Sequence, residues 1–181
     1  DSYKNRYRVI SIEQTTLLEN AYEAVALASQ IGRVSVVTTK TRTYTMPLLD
    51  NFNISQFFEI VTGRENVQNP KPHPEPILVT LEQMNYDKNK HSVWMIGDTK
   101  LDLIAANDAN INSIGLLCGY GEESELRKYT NFIETTALDA KLAEIKKLDE
   151  SKYTEESWTA LMNVVAEAKG LDAENATQVE V

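Results

Sequence analysis

Two carboxylates four residues apart follow an apolar run in the middle of the chain. The run is Val93 to Gly97, and the acids are Asp98 and Asp102. A buried parallel strand is a continuous apolar run, and its carboxyl end opens into the crevice where α/β proteins bind ligands. With a helix from Leu101 onward, both carboxylates can face one hard cation such as Mg²⁺, which takes oxygen ligands. The competing interpretation is Asp98 as a plain helix N-cap, for which Thr99 would serve almost as well.

Two further segments supply groups that bind phosphate. The run Arg33 to Thr39 is rich in β-branched residues and ends in two hydroxyls, Thr38 and Thr39. In Asn69 to Pro76, prolines hold Lys71 in what we expect to be an extended path, because proline fixes φ and restricts the residue before it. A hydroxyl donor, a rigidly presented ammonium and a carboxylate pair are together what is needed to bind a phosphate beside Mg²⁺.

In this order the motifs resemble those of the haloacid dehalogenase (HAD) superfamily of phosphohydrolases, especially its phosphoglycolate phosphatase-like branch, over roughly residues 1–140. Thr38 matches the family's phosphate-binding hydroxyl, with Thr39 beside it, and Lys71 matches the lysine that offsets charge on the phosphoryl oxygens. Asp98 matches a ligand of Mg²⁺, and Asp102 the residue that orients the ion or its waters. The resemblance implies Mg²⁺-dependent hydrolysis of small phosphorylated metabolites such as phosphoglycolate, in the cytoplasm.

One motif of the family is absent. Its catalysis begins on a first strand with an Asp-x-Asp motif, whose first Asp attacks phosphorus, and no two aspartates of this chain stand two residues apart. Asp1 to Tyr7 is similar to the end of the helical cap that follows that motif. The resemblance therefore implies an incomplete Rossmann-type parallel sheet, with helices on both faces and its first strand missing. That strand lies between those ending at Thr38 and Asp98, so its loss predicts a gap of roughly 9–10 Å, twice the inter-strand spacing.

Three outcomes for this gap remain open. A complementing strand from another polypeptide, or self-association, would cover the backbone groups on its two sides, which are rarely left unpaired when buried. The two flanking strands could instead pair with each other. Residues 7–12, which alternate as in a strand, could also move in, although the resemblance favours a helix there.

The alternative to an enzyme is an inactive fragment or scaffold that acts by protein interaction. A receiver-like phosphoacceptor fits the order of motifs poorly.

Apolar runs alternate with amphipathic stretches over residues 13–147, which predicts an α/β fold with a parallel sheet. Strands are predicted up to residue 38, over 57–62, up to 97, over 113–117 and, at a sheet edge, over 131–134. Helices are predicted over residues 13–30, up to 50, over 74–84, up to 109, and over 122–128 and 137–147.

Residues 148–181 differ in composition from residues 1–147. They carry eight carboxylates against two lysines, which accounts for most of the net charge of −9. An apolar stripe at helical spacing predicts a packing surface; it consists of Trp158, Leu161, Met162, Val165 and Ala168. The segment resembles the FIVAR module, a small helical unit of bacterial surface proteins. We therefore predict an incomplete HAD-like core over 1–147 and an acidic helical segment over 148–181.

Composition also limits the classes of function. The net charge of −9 disfavours a general nucleic-acid surface. No segment approaches the roughly 20 apolar residues of a membrane helix. Cys118 is the single cysteine and is expected in the core. We expect His91 to be exposed and Lys100 to neutralise nearby acids. His73 is expected to be exposed in its loop, with contact to substrate as the alternative. Tyr120 lies between glycines that permit unusual backbone angles, and either a contact with substrate or cap or a simple turn would explain it.

Overall fold

The computed structural model describes residues 2–135. Within this range the α-helices are α1 (Ser2–Glu13), α2 (Ala21–Ile31), α3 (Arg42–Asn51), α4 (Glu75–Gln83), α5 (Lys100–Asp108) and α6 (Glu123–Leu126), and two short 3₁₀ helices cover Ser55–Phe57 and Arg64–Asn66. The strands are β1 (Val34–Val37), β2 (Phe58–Thr62), β3 (Trp94–Gly97), β4 (Asn112–Leu116) and β5 (Ile133–Glu134). The helix predicted over 137–147 and the segment 148–181 lie outside the described residues, as does the boundary proposed between them.

The strands form two parallel groups. β1 pairs with β2, from Val34 opposite Phe58 to Val37 opposite Thr62, with an irregularity after the first pair. β4 lies between β3 and β5 in the second group, with Gly97 opposite Gly115. Alternation of strands with helices and the exclusively parallel pairing define an α/β fold of the Rossmann type, as predicted. Within residues 2–135 no helix is both long and apolar enough to cross a bilayer.

Asparagine ends three of the helices that lead into strands or turns. Asn53, Asn85 and Asn110 follow α3, α4 and α5 with φ between 52° and 56°. The next residue then donates its N–H to a carbonyl five residues back, as in Ile54 to Leu49 and Ile111 to Ala106. This is the Schellman arrangement, and asparagine tolerates its left-handed position better than most residues.

The two groups of strands pack against the same apolar cluster. Val37 of β1 and Met95 of β3 both pack against a cluster formed by Ile77 of α4 with Ala105 and Ala106 of α5. β1 and β3 nevertheless share no backbone pairing, and no strand from the described residues lies between them. All four residues of β1 are only half-buried, whereas residues 113–116 of the central strand β4 are buried. β1 and β3 are therefore separated by a gap that lies over this shared apolar cluster. We call this gap between β1 and β3 the slot, and the apolar cluster beneath it the floor.

Several sequence predictions need correction. The helix predicted over 13–30 begins only at Ala21, as α2, and residues 14–20 form a non-helical link from α1. Asn20, directly before α2, has φ 57°, which a right-handed helix does not permit. Residues 7–12 belong to α1, so the strand considered there is wrong. Direct pairing of the strands that end near Thr38 and Asp98 is also wrong. The edge strand predicted over 131–134 is confirmed as β5.

Candidate active site

A cavity of about 360 Å³ opens where β1 and β3 face each other at their carboxyl ends. Its apolar lining includes Val37, Met95 and Ile96. The polar lining contains all five residues that the sequence singled out, Thr38, Thr39, Lys71, Asp98 and Asp102. Crevices at the carboxyl ends of parallel strands are the usual ligand sites of α/β folds. The structure therefore brings the predicted groups together, and their roles stay predictions.

Lys71 is the buried cation of this cavity. Its Nζ donates to the Val37 carbonyl at 2.8 Å and to Asp102 Oδ1 at 2.5 Å. The ammonium thus joins the end of β1 to the first turn of α5. A buried ion pair of this kind holds two elements in register, and removal of one partner leaves an uncompensated charge.

Asp102 lies in the first turn of α5 and is held on both oxygens. Oδ1 accepts the Lys71 ammonium, while Oδ2 accepts the Thr99 hydroxyl at 2.7 Å and the Thr99 backbone N–H at 3.2 Å. Thr99 is therefore the N-cap of α5, and the alternative of Asp98 as N-cap is wrong. Gly97 makes room for this carboxylate, because a Cβ there would stand 2.3 Å from Asp102 Cβ.

Asp98 presents its carboxylate with one oxygen held. Oδ2 accepts the backbone N–H of Tyr120 at 3.0 Å. Within residues 2–135 its other carboxylate oxygen, Oδ1, has no hydrogen-bond partner. Asp98 sits in the turn between β3 and α5, as the sequence predicted. Of the two acids it is the one with an oxygen that accepts no hydrogen bond from the described residues.

Thr38 and Thr39 form the wall opposite the two acids. The Thr38 N–H continues the β1–β2 pairing by donating to the Thr62 carbonyl at 3.0 Å. Its hydroxyl oxygen accepts the Lys40 N–H at 3.1 Å, so the hydroxyl proton is available for a ligand. Thr39 is exposed at the mouth of the cavity. Both positions suit a hydrogen-bond donor to an anion.

The loop that carries Lys71 is not extended. The N–H of His73 donates to the Pro70 carbonyl at 3.0 Å, so the chain turns here. The Lys71–Pro72 peptide bond is cis. Glu75 braces the loop by accepting the Gln68 N–H at 2.7 Å. That bond, with further bonds from the backbone and side chain at position 69, lowers the pKa of Glu75. The extended path predicted from the prolines is wrong, because the hydrogen-bonded turn overrides their local preference.

Neighbouring residues mostly follow the modest roles expected of them. His73 and His91 are exposed. Lys100 pairs with Glu125 at 2.9 Å, which raises the pKa of the lysine. Cys118 packs against the core of β4, and burial raises the pKa of its thiol, with a smaller contribution from the charge of Asp98. Tyr120 is 96% exposed.

The glycines around Tyr120 are needed for space rather than for unusual angles. Within the described residues no glycine has a positive φ, so that part of the prediction is wrong. A Cβ at Gly119 would instead stand 2.0 Å from Asp98 Oδ2. The close approach of the loop to Asp98 explains both glycines.

The acids fit a magnesium ion better than a metal that needs many protein ligands. Within residues 2–135 no group of three or more His, Cys, Asp or Glu side chains could enclose a metal. Mg²⁺ is commonly held by one or two carboxylates plus water and substrate phosphate. Asp98 offers such an oxygen directly, and Asp102, already bonded on both oxygens, suits an outer role. The donor set therefore agrees with the ion that the resemblance implies.

Comparisons with known proteins assign the family. The sequence profile of the family described as haloacid dehalogenase-like hydrolase matches residues 1–116. The chain belongs to this family. It is 31% identical over 117 residues to a phosphoglycolate phosphatase of Colwellia psychrerythraea and 33% identical over 123 residues to that of Escherichia coli K12. These matches cover 64% and 66% of the chain but 51% and 48% of the relatives, so the chain spans about half their length.

Solved structures agree on the fold. A haloacid dehalogenase-like hydrolase from Streptococcus pneumoniae superposes with a TM-score of 0.67 at 23% identity, over 78% of this chain and 66% of that one. A HAD-superfamily hydrolase of subfamily IA from Geobacter sulfurreducens gives a TM-score of 0.55 at 27% identity, over 61% and 55% of the two chains.

Sequence reasoning missed three contacts of the site. The first is the hydrogen bond from Lys71 to the Val37 carbonyl. The second is the hydrogen bond from Thr99 to Asp102, and the third is the bond from the Tyr120 N–H to Asp98. Only the second had a local signal, because Thr99 and Asp102 have the spacing of a capping box. The other two contacts join residues far apart in sequence, so no local pattern reveals them.

Proposed function

We propose that this chain carries the metal-binding and phosphate-binding half of a Mg²⁺-dependent phosphomonoester hydrolase for small organic phosphates such as phosphoglycolate. The observation that supports it best is the convergence of Lys71, Thr38 and the two acids on one cavity. The family membership and the phosphoglycolate phosphatases among its relatives support the same reaction class. A cytoplasmic location and a small phosphorylated metabolite as ligand remain predictions.

Each group has a task that its contacts allow. Lys71 would offset charge on the phosphoryl oxygens, and the Thr38 hydroxyl would donate a hydrogen bond to one of them. Asp98 would hold Mg²⁺ through its oxygen without a described partner, and Asp102 would keep Lys71 aimed at the cavity. Bound Mg²⁺ would supply further stabilisation of negative charge on the phosphoryl group. Positioned charge of this kind provides most of the rate in phosphoryl transfer.

The covalent acceptor is the missing part of this proposal. Of the carboxylates in residues 2–135, only Asp98 and Asp102 line the cavity, and both already have other tasks. We therefore expect the chain alone to hydrolyse p-nitrophenyl phosphate only at background rate, since charge positioning without a nucleophile leaves the covalent step unavailable. Mg²⁺-dependent turnover by the purified chain that is lost in Asp98→Asn would contradict this, because a nucleophile would then have to be present.

A second candidate function is protein interaction, and the slot between β1 and β3 favours it. Facing strand edges with unpaired backbone groups are templates for another strand. Residues of both strands are half-buried although they stand above an apolar floor. A complementing strand or a second copy of the chain would cover them.

One experiment separates the two functions. A synthetic peptide of five β-branched residues followed by Asp-x-Asp-Gly-Thr is added to the chain with Mg²⁺ and p-nitrophenyl phosphate, with an Asn-x-Asn peptide as control. If the chain is half of a phosphatase, we expect the chain to hydrolyse p-nitrophenyl phosphate with the Asp-x-Asp peptide and not with the Asn-x-Asn peptide. The Lys71→Met variant should show no hydrolysis with either peptide. Binding of both peptides without hydrolysis would favour a strand-binding scaffold. Failure of both peptides to bind, measured by fluorescence anisotropy, would contradict the docking of a strand in the slot.

A further inference from the structure

The loop after β4, residues 118–121, lies so close to Asp98 that a side chain at Gly119 or Gly121 would not fit. A Cβ at Gly119 would lie 2.0 Å from Asp98 Oδ2 and 2.4 Å from Asp98 Cβ. A Cβ at Gly121 would lie 2.2 Å from the Asp98 carbonyl oxygen. Real Cβ atoms essentially never come within 3.0 Å of such neighbours. The loop therefore contacts Asp98 at two points, its carboxylate and its backbone, and needs glycine at both.

A hydrogen bond between these two contacts fixes one carboxylate oxygen. The Tyr120 N–H donates to Asp98 Oδ2 at 3.0 Å, whereas the Tyr120 side chain is 96% exposed. A backbone N–H on a carboxylate is a charge-assisted hydrogen bond, among the stronger kinds in proteins. Because Oδ2 is held and the Cβ is enclosed by Gly119, rotation of the Asp98 carboxylate is restricted. The oxygen left for a ligand is Oδ1.

The loop itself is supported from behind by α6. Leu126 is fully buried, and its side chain lies 2.9 Å from the position of a Cβ at Gly121 and 3.3 Å from that at Gly115. The ion pair from Lys100 to Glu125 ties α6 to the start of α5. The loop is thus enclosed between a packed leucine and Asp98, so it has little freedom to move away when Asp98 is pulled by a ligand.

We propose that residues 118–121 form a backbone clamp that sets the orientation of the Asp98 carboxylate for metal binding, with Gly119 and Gly121 as positioning residues. The proposal rests on the proposed function, because it assigns Asp98 the Mg²⁺. A carboxylate whose rotamer is fixed by its surroundings loses its conformational entropy on folding rather than on binding, so the ligand binds more tightly. Residues that orient metal ligands typically change metal affinity by about 10- to 100-fold when altered.

The test compares Mg²⁺ affinity in two glycine variants. Gly119→Ala forces the Asp98 carboxylate to move, and we expect Mg²⁺ binding measured by calorimetry to weaken about tenfold or more. Gly32→Ala is the matched control, because nothing lies within 4 Å of a Cβ at that position and its backbone is extended. Wild-type affinity in a folded Gly119→Ala variant, or an equal loss in Gly32→Ala, would overturn the proposal.

A second measurement does not depend on the metal or on the folding of the glycine variant. In metal-free protein, hydrogen exchange followed by NMR should show the Tyr120 amide protected in the wild type and exposed in Asp98→Ala, with Ile114 of β4 protected in both. Equal protection of Tyr120 in both proteins would overturn the clamp. Absence of Mg²⁺ binding to the wild type would contradict the proposed metal site instead, and the exchange experiment would still decide whether the loop orients Asp98.

Discussion

Replacement of Lys71 by methionine should destabilise the protein more than any change of an exposed lysine. The Lys71 and Asp102 side chains are only 10% and 7% exposed, and their charged atoms are 2.5 Å apart. Methionine retains much of the aliphatic chain but removes the ammonium, so Asp102 keeps a buried charge without its cation. Removal of one member of a buried ion pair typically costs about 3–5 kcal/mol.

The surroundings place the expected loss at the lower end of that range. Asp102 Oδ2 still accepts two hydrogen bonds from Thr99, and water entering the cavity can solvate Oδ1. The Val37 carbonyl loses its bond from Lys71, which adds about 1 kcal/mol. We therefore expect the free energy of unfolding of Lys71→Met to fall by about 3 kcal/mol.

Urea unfolding followed by circular dichroism measures this loss, with an unchanged m-value as the check that the unfolding transition is comparable. Lys90→Met is the control, because Lys90 is 75% exposed and 3.5 Å from Asp87, and such pairs contribute about 0–1 kcal/mol. Asp102→Asn added to Lys71→Met should recover part of the stability, since it removes the unpaired charge. A loss below about 1 kcal/mol in Lys71→Met would refute the reasoning, because Asp102 would then be solvated rather than buried.

Single contacts elsewhere give three further predictions. The pKa of Glu75 is lowered in the folded protein, mainly by the hydrogen bond from the Gln68 N–H. Its contribution to stability is therefore present above its ordinary pKa of 4.5 and is lost as pH falls through the lower folded pKa. The urea midpoints of wild type and Glu75→Gln should differ at neutral pH and converge in acid. Because burial raises the pKa of Cys118, its alkylation by iodoacetamide at about pH 8 should be slower than that of a cysteine peptide, and Asp98→Asn should accelerate it. Leu126→Ala should lower the unfolding free energy by about 3 kcal/mol in urea titration, since Leu126 is fully buried; a loss below about 1 kcal/mol would contradict its anchoring role.

Much of the fold was predictable because its signals are local. Each strand from β1 to β4 contains apolar or β-branched residues, and each predicted strand end lies within one residue of the observed end. The start of the helix predicted over 13–30 was wrong, because the observed helix α2 begins only at Ala21. Asn20 reads as an ordinary polar residue in a helical pattern, and nothing in the pattern shows that it takes a left-handed conformation.

The site was predictable as a set of residues but not as an arrangement. Thr38, Lys71, Asp98 and Asp102 were identified by type and by family resemblance, and the structure brings them to one cavity. Which of them bind each other depends on contacts across 31 or more positions, as for Lys71 with Asp102. The turn at Lys71 also depends on bonds to Glu75 that compete with the extended preference of the prolines. Tertiary hydrogen bonds decided both outcomes.

The contact that forms the site also supports the fold, and this affects how variants must be interpreted. Lys71 joins the Val37 carbonyl of β1 to Asp102 of α5 at the end of a slot in which the two strands share no backbone hydrogen bonds. A loss of the proposed phosphate binding in Lys71→Met would therefore combine a missing charge with a loosened cavity. Asp98 is different, because in the described residues its held oxygen bonds to a loop rather than across the slot. Substitutions of Asp98 should thus affect ligand binding and this loop without loosening the contact between β1 and α5, whereas substitutions of Lys71 and Asp102 should change ligand binding and that contact together.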